Sequence, residues 1–319
     1  MECTFKCLSQ NCLNDSITIA TGMKRILIFF LSFVLKIFVF IGKPFHGIKP
    51  RRLYDVLSRL VFRIPEFKLY RNLWGTELLL TPYYHIDRNI IFWGTYDWVM
   101  HSFIEDHLES GMVCFDVGAN LGEVALHMGK KVGTSGRIYA FEPSPMNYER
   151  LFNHISHNNM QGVVLPFQIA LSNQSGSVAM GIADCEDDNQ GIGSIVNLSE
   201  RATSTFISVP CMTIDEFVIA KKIAKLNLIK MDVQGAELLV LEGGPKTFFE
   251  LSPNLLVEFS PKDLGHLSKT SVDLFLRLQS YGYLMFTLRS SRLGYQLTEE
   301  KITPQFSAAN VYCTKFTGK

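Results

Sequence analysis

The chain has 319 residues, with 31 basic and 30 acidic side chains, and this near balance excludes a protein that coats nucleic acid through its net charge. Its length suits one substantial α/β domain with additions rather than two large domains. Hydrophobic residues make up 47% and charged residues 19%, a balance apolar enough to prompt a search for a membrane segment.

Residues 1–22 lack any hydrophobic period and are expected to be disordered. Residues 23–43 are read as an apolar membrane-anchor helix. Within them Ile26 to Gly42, ILIFFLSFVLKIFVFIG, would reach roughly 25 Å as a helix, against a hydrocarbon core of ~30 Å. The run is long enough to lie in the interface and marginal as a span. Basic residues are denser after it, at Lys43, Lys49, Arg51, Arg52, Arg59 and Arg63, than before it. That asymmetry is expected to place the C-terminal bulk of the chain on the cytoplasmic side of a membrane. Of the seven cysteines, Cys3, Cys7 and Cys12 precede the apolar run, and Cys114, Cys185, Cys211 and Cys313 are scattered singly. No CxxC pair or Cys/His cluster has zinc-site spacing and the odd count does not suggest a disulfide framework, so a reducing compartment is expected and no metal ligands are assigned.

Residues 44–110 read as a connector and a small β-rich extension. The aromatic and β-branched stretch from Phe67 to Trp98, with turn residues at Gly75 and Asp87, predicts a short β-meander leading into a helix over Trp98–Leu108. Residues 111–319 alternate strand and helix patterns. Strands are predicted at Val113–Val117, Ile138–Phe141, Val163–Ile169, Leu226–Met231 and Asn254–Phe259. Helices are predicted at Glu123–Val132, Met146–Asn158, Ile214–Ala224, Ala236–Glu250 and Ser271–Tyr281. This alternation implies a parallel sheet covered on both faces. Tyr283–Leu288 and Ala308–Thr314 read as a closing antiparallel pair.

In such a sheet, ligands bind beyond the carboxyl ends of the strands, and the first strand–turn–helix unit is the usual anchor. Here that unit is VCFDVGANLGEVALH, from Val113. Gly118 and Gly122 permit close backbone approach, and Asp116 ends the strand. Glu142, twenty residues past Gly122 and at the end of the next strand, has the position of an acid that accepts ribose hydroxyl protons. Nucleoside binding follows from that combination, with a dinucleotide and S-adenosylmethionine as the two cofactor classes. The glycine order Gly118-x-Asn120-x-Gly122 does not meet the G-x-G-x-x-G pyrophosphate pattern, which favours the second.

Six ordered blocks, VCFDVGANLGEVALH, RIYAFEPSPMNYERLFNHI, ALSNQSGSV, TIDEF, LIKMDVQGAELLVLEGG and PNLLVEF, resemble the FkbM-type methyltransferase family over roughly residues 94 to 290. The resemblance implies a Rossmann-like class I fold with a seven-stranded, mostly parallel sheet. It also implies S-adenosyl-L-methionine as cofactor and O-methylation of a glycan, glycolipid or other small-molecule hydroxyl, which the apolar run extends to lipid-linked acceptors. Carried over by position, Asp116, Gly118, Asn120 and Gly122 match the cofactor loop, Glu142 the ribose acid, and Ala170 to Ser172 the turn bordering the adenine. Asp232 would sit beside the transferred methyl, and Asp232 or Glu258 would act as the general base. The family pattern usually has Glu where this chain has Gln234. Two other readings compete: an NAD(P)-dependent oxidoreductase, and a catalytically inactive membrane-anchored scaffold of the same fold, which only the Gln234 departure supports.

Overall fold

The computed structural model describes residues 67–182, 194–195, 205–267, 269–291, 294–299 and 309–315, all within the unit Ser58–Lys319. The apolar run 26–42 and the N-terminal cysteines lie outside the described residues. Among the described residues, no helix is long and apolar enough to cross a membrane.

In chain order the strands are β1 (Lys68–Arg71), β2 (Glu77–Leu80), β3 (Val113–Val117), β4 (Arg137–Phe141), β5 (Val164–Phe167), β6 (Ala170–Leu171) and β7 (Gly176–Ile182). They continue with β8 (Ser194–Ile195), β9 (Thr205–Met212), β10 (Leu228–Met231), β11 (Asn254–Phe259), β12 (Tyr283–Ser291), β13 (Gly294–Glu299) and β14 (Ala309–Lys315). The helices are α1 (His85–Trp93), α2 (Trp98–His107), α3 (Glu123–Val132), α4 (Pro145–His157), α5 (Ile214–Ala220), α6 (Glu237–Glu242), α7 (Pro261–Leu264) and α8 (Ser271–Ser280).

The main sheet has the order β13-β12-β14-β11-β10-β3-β4-β5. Strands β5, β4, β3, β10 and β11 run parallel, and β14, β12 and β13 close the sheet antiparallel. The expected seven-stranded sheet is therefore corrected to eight strands among the described residues, five of them parallel. The additional strand, β13, pairs with β12 through a short connection that no strong turn signal marks. A second sheet, β6-β9-β7-β8, stands apart.

Alternation along the central strands sorts the core onto the two faces of the sheet. Phe115, Val117, Phe141, Ile229, Met231, Leu255 and Val257 pack on one face. Cys114, Ile138, Ala140, Leu228 and Leu256 pack on the other, under α2, α3 and the β1–β2 hairpin. Helix α3 covers that second face because Ala125, Leu126, Met128 and Val132 are buried together. Its last turn carries Lys130 and Lys131, where positive charge suits the helix carboxyl end.

Two other expectations change. The meander after Phe67 is a single hairpin followed by α1, in which Asp87, expected in a turn, is fully buried. Asp87 accepts a hydrogen bond from the Thr81 amide at 2.9 Å and pairs with Arg150 at 2.7 Å, so a polar residue occupies an interior helix position. The long helix expected over Ala236–Glu250 stops at Glu242. Gly243 packs so closely on the Ser172 carbonyl that a Cβ there would overlap it, and Pro245 cannot continue the amide ladder. A π-helical turn, Thr247–Leu251, follows.

Candidate functional site

The carboxyl ends of β3, β4, β10 and β11 open onto one cleft of about 270 Å³, near the lower end of the ~300–1,000 Å³ found for ligand sites. The turn after β3 forms its floor. The Gly118 and Ala119 amides both donate to the Phe141 carbonyl, at 3.0 and 2.9 Å, which fastens this turn to β4. Gly118 has φ 79°, and a Cβ on it would overlap the Asp232 carbonyl oxygen. Gly118→Ala is therefore expected to cost about 1–3 kcal/mol from overpacking, plus strain at the positive φ, read as a lowered midpoint in thermal unfolding.

Asn120 follows at φ 50°, and its Oδ1 accepts from the Leu121 amide at 2.7 Å. Its own amide donates to Glu142 Oε2 at 2.8 Å, while the Ser144 amide donates to Glu142 Oε1 at 2.9 Å. Glu142 thus ties two turns together at the cleft edge. Burial pushes its carboxyl up to about 7, against the opposing hydrogen bonds from these amides.

Not every residue singled out in the sequence reaches the cleft. Gly118, Asn120, Glu142, Ala170, Asp232 and Glu258 line it; Asp116, Gly122 and Ser172 do not. Gly122 caps α3 at φ 95°, and a Cβ there would come within 2.6 Å of Leu151, so its work is to let α3 start against α4. Ser172 donates its amide to the Met212 carbonyl at 3.0 Å and faces the second sheet rather than the ligand space. Glu237 accepts from the Val233 and Gly235 amides at 3.1 and 3.2 Å and closes the turn after β10.

Asp116 is fully buried behind the floor, on the same face as Lys230, because the β3–β10 register sets the two residues side by side. Lys230 Nζ lies 3.0 Å from Asp116 Oδ1 and donates to the Gly118 carbonyl at 2.8 Å. Burial raises the Asp116 carboxyl, with Lys230 opposing. For Lys230, burial works downward, but the charges of Asp116 and Asp232 outweigh it and hold the ammonium protonated. The single lysine among the cleft-lining residues was the main omission of the sequence reading. Its signal was a cation within the apolar strand LIKM.

At the ends of β10 and β11, Gln234 Nε2 donates to Asp232 Oδ1 at 2.9 Å and approaches Glu258 Oε2 at 3.5 Å. Burial, and then the Asp232 charge and hydrogen bond, push Glu258 up to about 9. Glu258 is a proton-carrying acid at neutral pH, and Asp232 is the hydrogen-bonded carboxyl beside it. The opposite wall comes from the extension. Asp97 caps α2 by accepting from the Met100 amide at 3.0 Å, and its other oxygen accepts from Asn310 of β14 at 2.8 Å. Tyr96, His101 and Glu123 complete this wall; no local pattern in the sequence marks them.

Six carboxyl side chains, Asp97, Glu123, Glu142, Asp232, Glu258 and Asp263, line the cleft with one lysine. This donor set fits a ligand with net positive charge and a ribose. It does not fit a pyrophosphate, which would add negative charge among the carboxyls.

The sequence profile of the Methyltransferase FkbM domain matches residues 116–285. Among curated proteins, the chain is 29% identical over 138 residues to Hexuronic acid methyltransferase AglP of Haloferax volcanii, covering 43% of this chain and 52% of that protein. It is 26% identical over 184 residues to Methyltransferase sdnD of Sordaria araneosa, covering 50% of this chain and 70% of that protein. The chain thus spans about half the length of the first of these relatives. Among solved structures, Methyltransferase FkbM from Methylobacillus flagellatus aligns with a TM-score of 0.40 and 19% identity, over 64% of this chain and 43% of that one.

Proposed function

Since the chain belongs to the FkbM methyltransferase family and carries an S-adenosylmethionine-dependent methyltransferase domain, we propose that it is an O-methyltransferase acting on a hydroxyl of a glycan, glycolipid or related small molecule. The observation that carries this reading is the cleft in which Glu142 directly follows β4 and Asp232 directly follows β10, on either side of the Gly118–Asn120 turn. When bound, the cofactor supplies the methyl group on a positively charged sulfonium, an electrophile open to in-line attack.

Glu142 and the Asn120 turn would hold the ribose, and Ile169, Ala170 and Leu171 the adenine edge. Asp232 takes the proton from the acceptor hydroxyl, because an alcohol is a poor nucleophile until it is deprotonated. Glu258, holding its own proton, donates to Asp232 and fixes its orientation, while Gln234 supplies a second donor without a third charge. A sugar acceptor agrees with the hexuronic acid named for the Haloferax relative. Attachment to a membrane through residues 26–42, with the catalytic domain facing the cytoplasm, belongs to the same proposal and is supported by the apolar run and its basic flank. The family membership and the carboxyl-rich cleft speak against the oxidoreductase reading.

The test is calorimetric titration with S-adenosylmethionine and with NAD and NADP, followed by a screen of neutral sugars, uronates and lipid-linked sugars for transfer of a labelled methyl group. Saturable binding of S-adenosylmethionine alone, with transfer to a hydroxyl, is expected; nicotinamide binding would sink the proposal. The titration also reads Glu142. The folded pKa, about 7, lies above the ordinary 4.5, so this carboxyl favours the folded chain most below pH 4.5, and that contribution is lost as pH rises through 7. Ribose hydroxyls need the ionised form as acceptor. Affinity for S-adenosylhomocysteine is therefore expected to rise about tenfold between pH 6 and pH 8, as the competent fraction grows. Glu142→Gln should bind weakly with no such slope, and a slope retained in that variant would remove Glu142 from the ribose site.

A further inference from the structure

Helix α4 carries a polar stripe that the transfer reaction does not use. Arg150, His154 and, at the carboxyl end, Asn158 recur at every fourth residue and so lie on one face of the helix. That face covers the open edge of β2. Asn158 accepts from the Glu77 amide at 2.9 Å and donates to the Glu77 carbonyl at 2.7 Å. Arg150 donates to the Leu79 carbonyl at 3.3 Å, and the Leu79 amide donates to His154 Nε2 at 2.9 Å. Backbone groups that a neighbouring strand would satisfy are thus met by side chains.

His154 differs from its neighbours in the stripe because it reaches the cleft as well. Its Nδ1 lies 2.8 Å from the carbonyl of Leu121, which lines the cleft and follows Asn120 in the turn tied to Glu142. A backbone amide always carries its proton, so the Leu79 amide needs a lone pair at Nε2. Burial pushes the imidazole down to about 4 against its bond to the Leu121 carbonyl, with the Arg150 charge adding to the push, and the ring is neutral at pH 7. Its one proton therefore sits on Nδ1 and is donated to Leu121. The other tautomer would set N–H against N–H at Leu79 and a lone pair against the carbonyl at Leu121. His154 is 2% exposed, and in the interior an unmade hydrogen bond is costly.

We propose that His154 is a positioning residue for the cleft turn: it holds the Leu121 carbonyl, and with it the Asn120 amide that meets Glu142 at the proposed ribose site. The β1–β2 hairpin acts on the cleft by fixing the tautomer of this one ring, although it lies outside the residues 116–285 matched to the methyltransferase domain. That the ligand of the turn is S-adenosylmethionine rests on the methyltransferase reading; the coupling of hairpin, ring and turn does not.

Two variants of the full chain divide the two bonds of the ring. Asparagine carries an N–H where Nδ1 stands, with no help from the hairpin, and does not reach Leu79. Glutamine reaches Leu79 with its carbonyl oxygen and leaves the Leu121 carbonyl unmet. Both are expected to lower the thermal midpoint, because each loses one buried hydrogen bond. Affinity for S-adenosylhomocysteine, measured by calorimetry, should separate them. His154→Asn is expected to stay within about threefold of the wild type, and His154→Gln to lose about tenfold or more. In turnover, the loss in His154→Gln should appear in KM for S-adenosylmethionine, with kcat changed by no more than about a few-fold.

In histidine-labelled wild-type protein at neutral pH, nitrogen NMR should show a ring protonated at Nδ1 alone, whose signal is missing from both variants. A proton on Nε2 of that ring, equal affinities in the two variants, or a loss of affinity that simply follows the thermal midpoint each overturns the proposal. Failure of the wild type to bind S-adenosylhomocysteine would count against the methyltransferase reading alone. Hydrogen exchange at the Asn120 and Leu121 amides then decides the coupling: it is expected to be about tenfold faster in His154→Gln than in His154→Asn, and equal rates overturn it. If neither variant folds, the proposal stands or falls on the wild-type tautomer.

Discussion

Lys230→Met is expected to destabilise the protein by about 3–5 kcal/mol, because it removes the ion-pair partner of a fully buried carboxylate. Asp116 is 0% exposed, and neither of its oxygens receives a well-aligned hydrogen bond. Its charge is balanced by the Lys230 ammonium 3.0 Å away. Without that ammonium, Asp116 must either stay charged in an apolar sheet face or take up a proton. Either outcome costs much of the folding free energy of a domain that has roughly 5–15 kcal/mol in total. The loss belongs to the unpaired charge and not to the pair, so the double variant Asp116→Val/Lys230→Met should recover more than half of it. Urea unfolding of the two single variants and the double variant closes the cycle. If the double variant is as unstable as the sum of the singles, the ion-pair account is wrong.

Asp232→Asn is expected to lower the rate of methyl transfer by about 10²- to 10⁴-fold, the usual contribution of a positioned general base. Affinity for S-adenosylhomocysteine should change by no more than a few-fold. Asparagine keeps the shape, so the turn after β10 stays closed, with Glu237 holding the Val233 and Gly235 amides. Glu258→Gln should cost less, because Glu258 already carries its proton at neutral pH and a glutamine can still donate to Asp232. Methyl transfer to the best acceptor from the sugar screen, measured in single turnover, separates chemistry from product release. A fall in affinity as large as the fall in rate would move Asp232 from the reaction to the cofactor.

The central strands and the β3–turn–α3 unit were legible in the sequence because their signals are local: an apolar run, a glycine turn and a helical stripe. Strands β3 and β11 and helix α3 occur at the expected residues. The second sheet was not legible, since β7 pairs with β9 across a long stretch of sequence, and Gly181 in one strand and Pro210 in the other interrupt the apolar pattern. The extension was misread because the interior of α1 is polar. Asp87, Arg88 and Asn89 are buried there, which hides the helical stripe. In the cleft, Glu142 and Asp232 could be identified from strand ends. Lys230 could not be paired with Asp116 until the β3–β10 register set them side by side. Asp116 and Gly122 carry a recognisable motif, yet they support the floor and do not line the ligand space. Motif membership marks a residue as required; only the packing says whether a ligand or the fold requires it.

Gly118 touches the carbonyl of Asp232 with no room for even one carbon atom, and the Asp232 amide donates back to the Val117 carbonyl at 3.1 Å. The turn proposed to hold the ribose and the carboxyl proposed to react are thereby locked into one cooperative unit, and their backbone amides are expected to exchange with solvent only when both strand ends open together. On the proposed reading, a nucleoside seated at one end of the cleft steadies Asp232 at the other without any moving part between them.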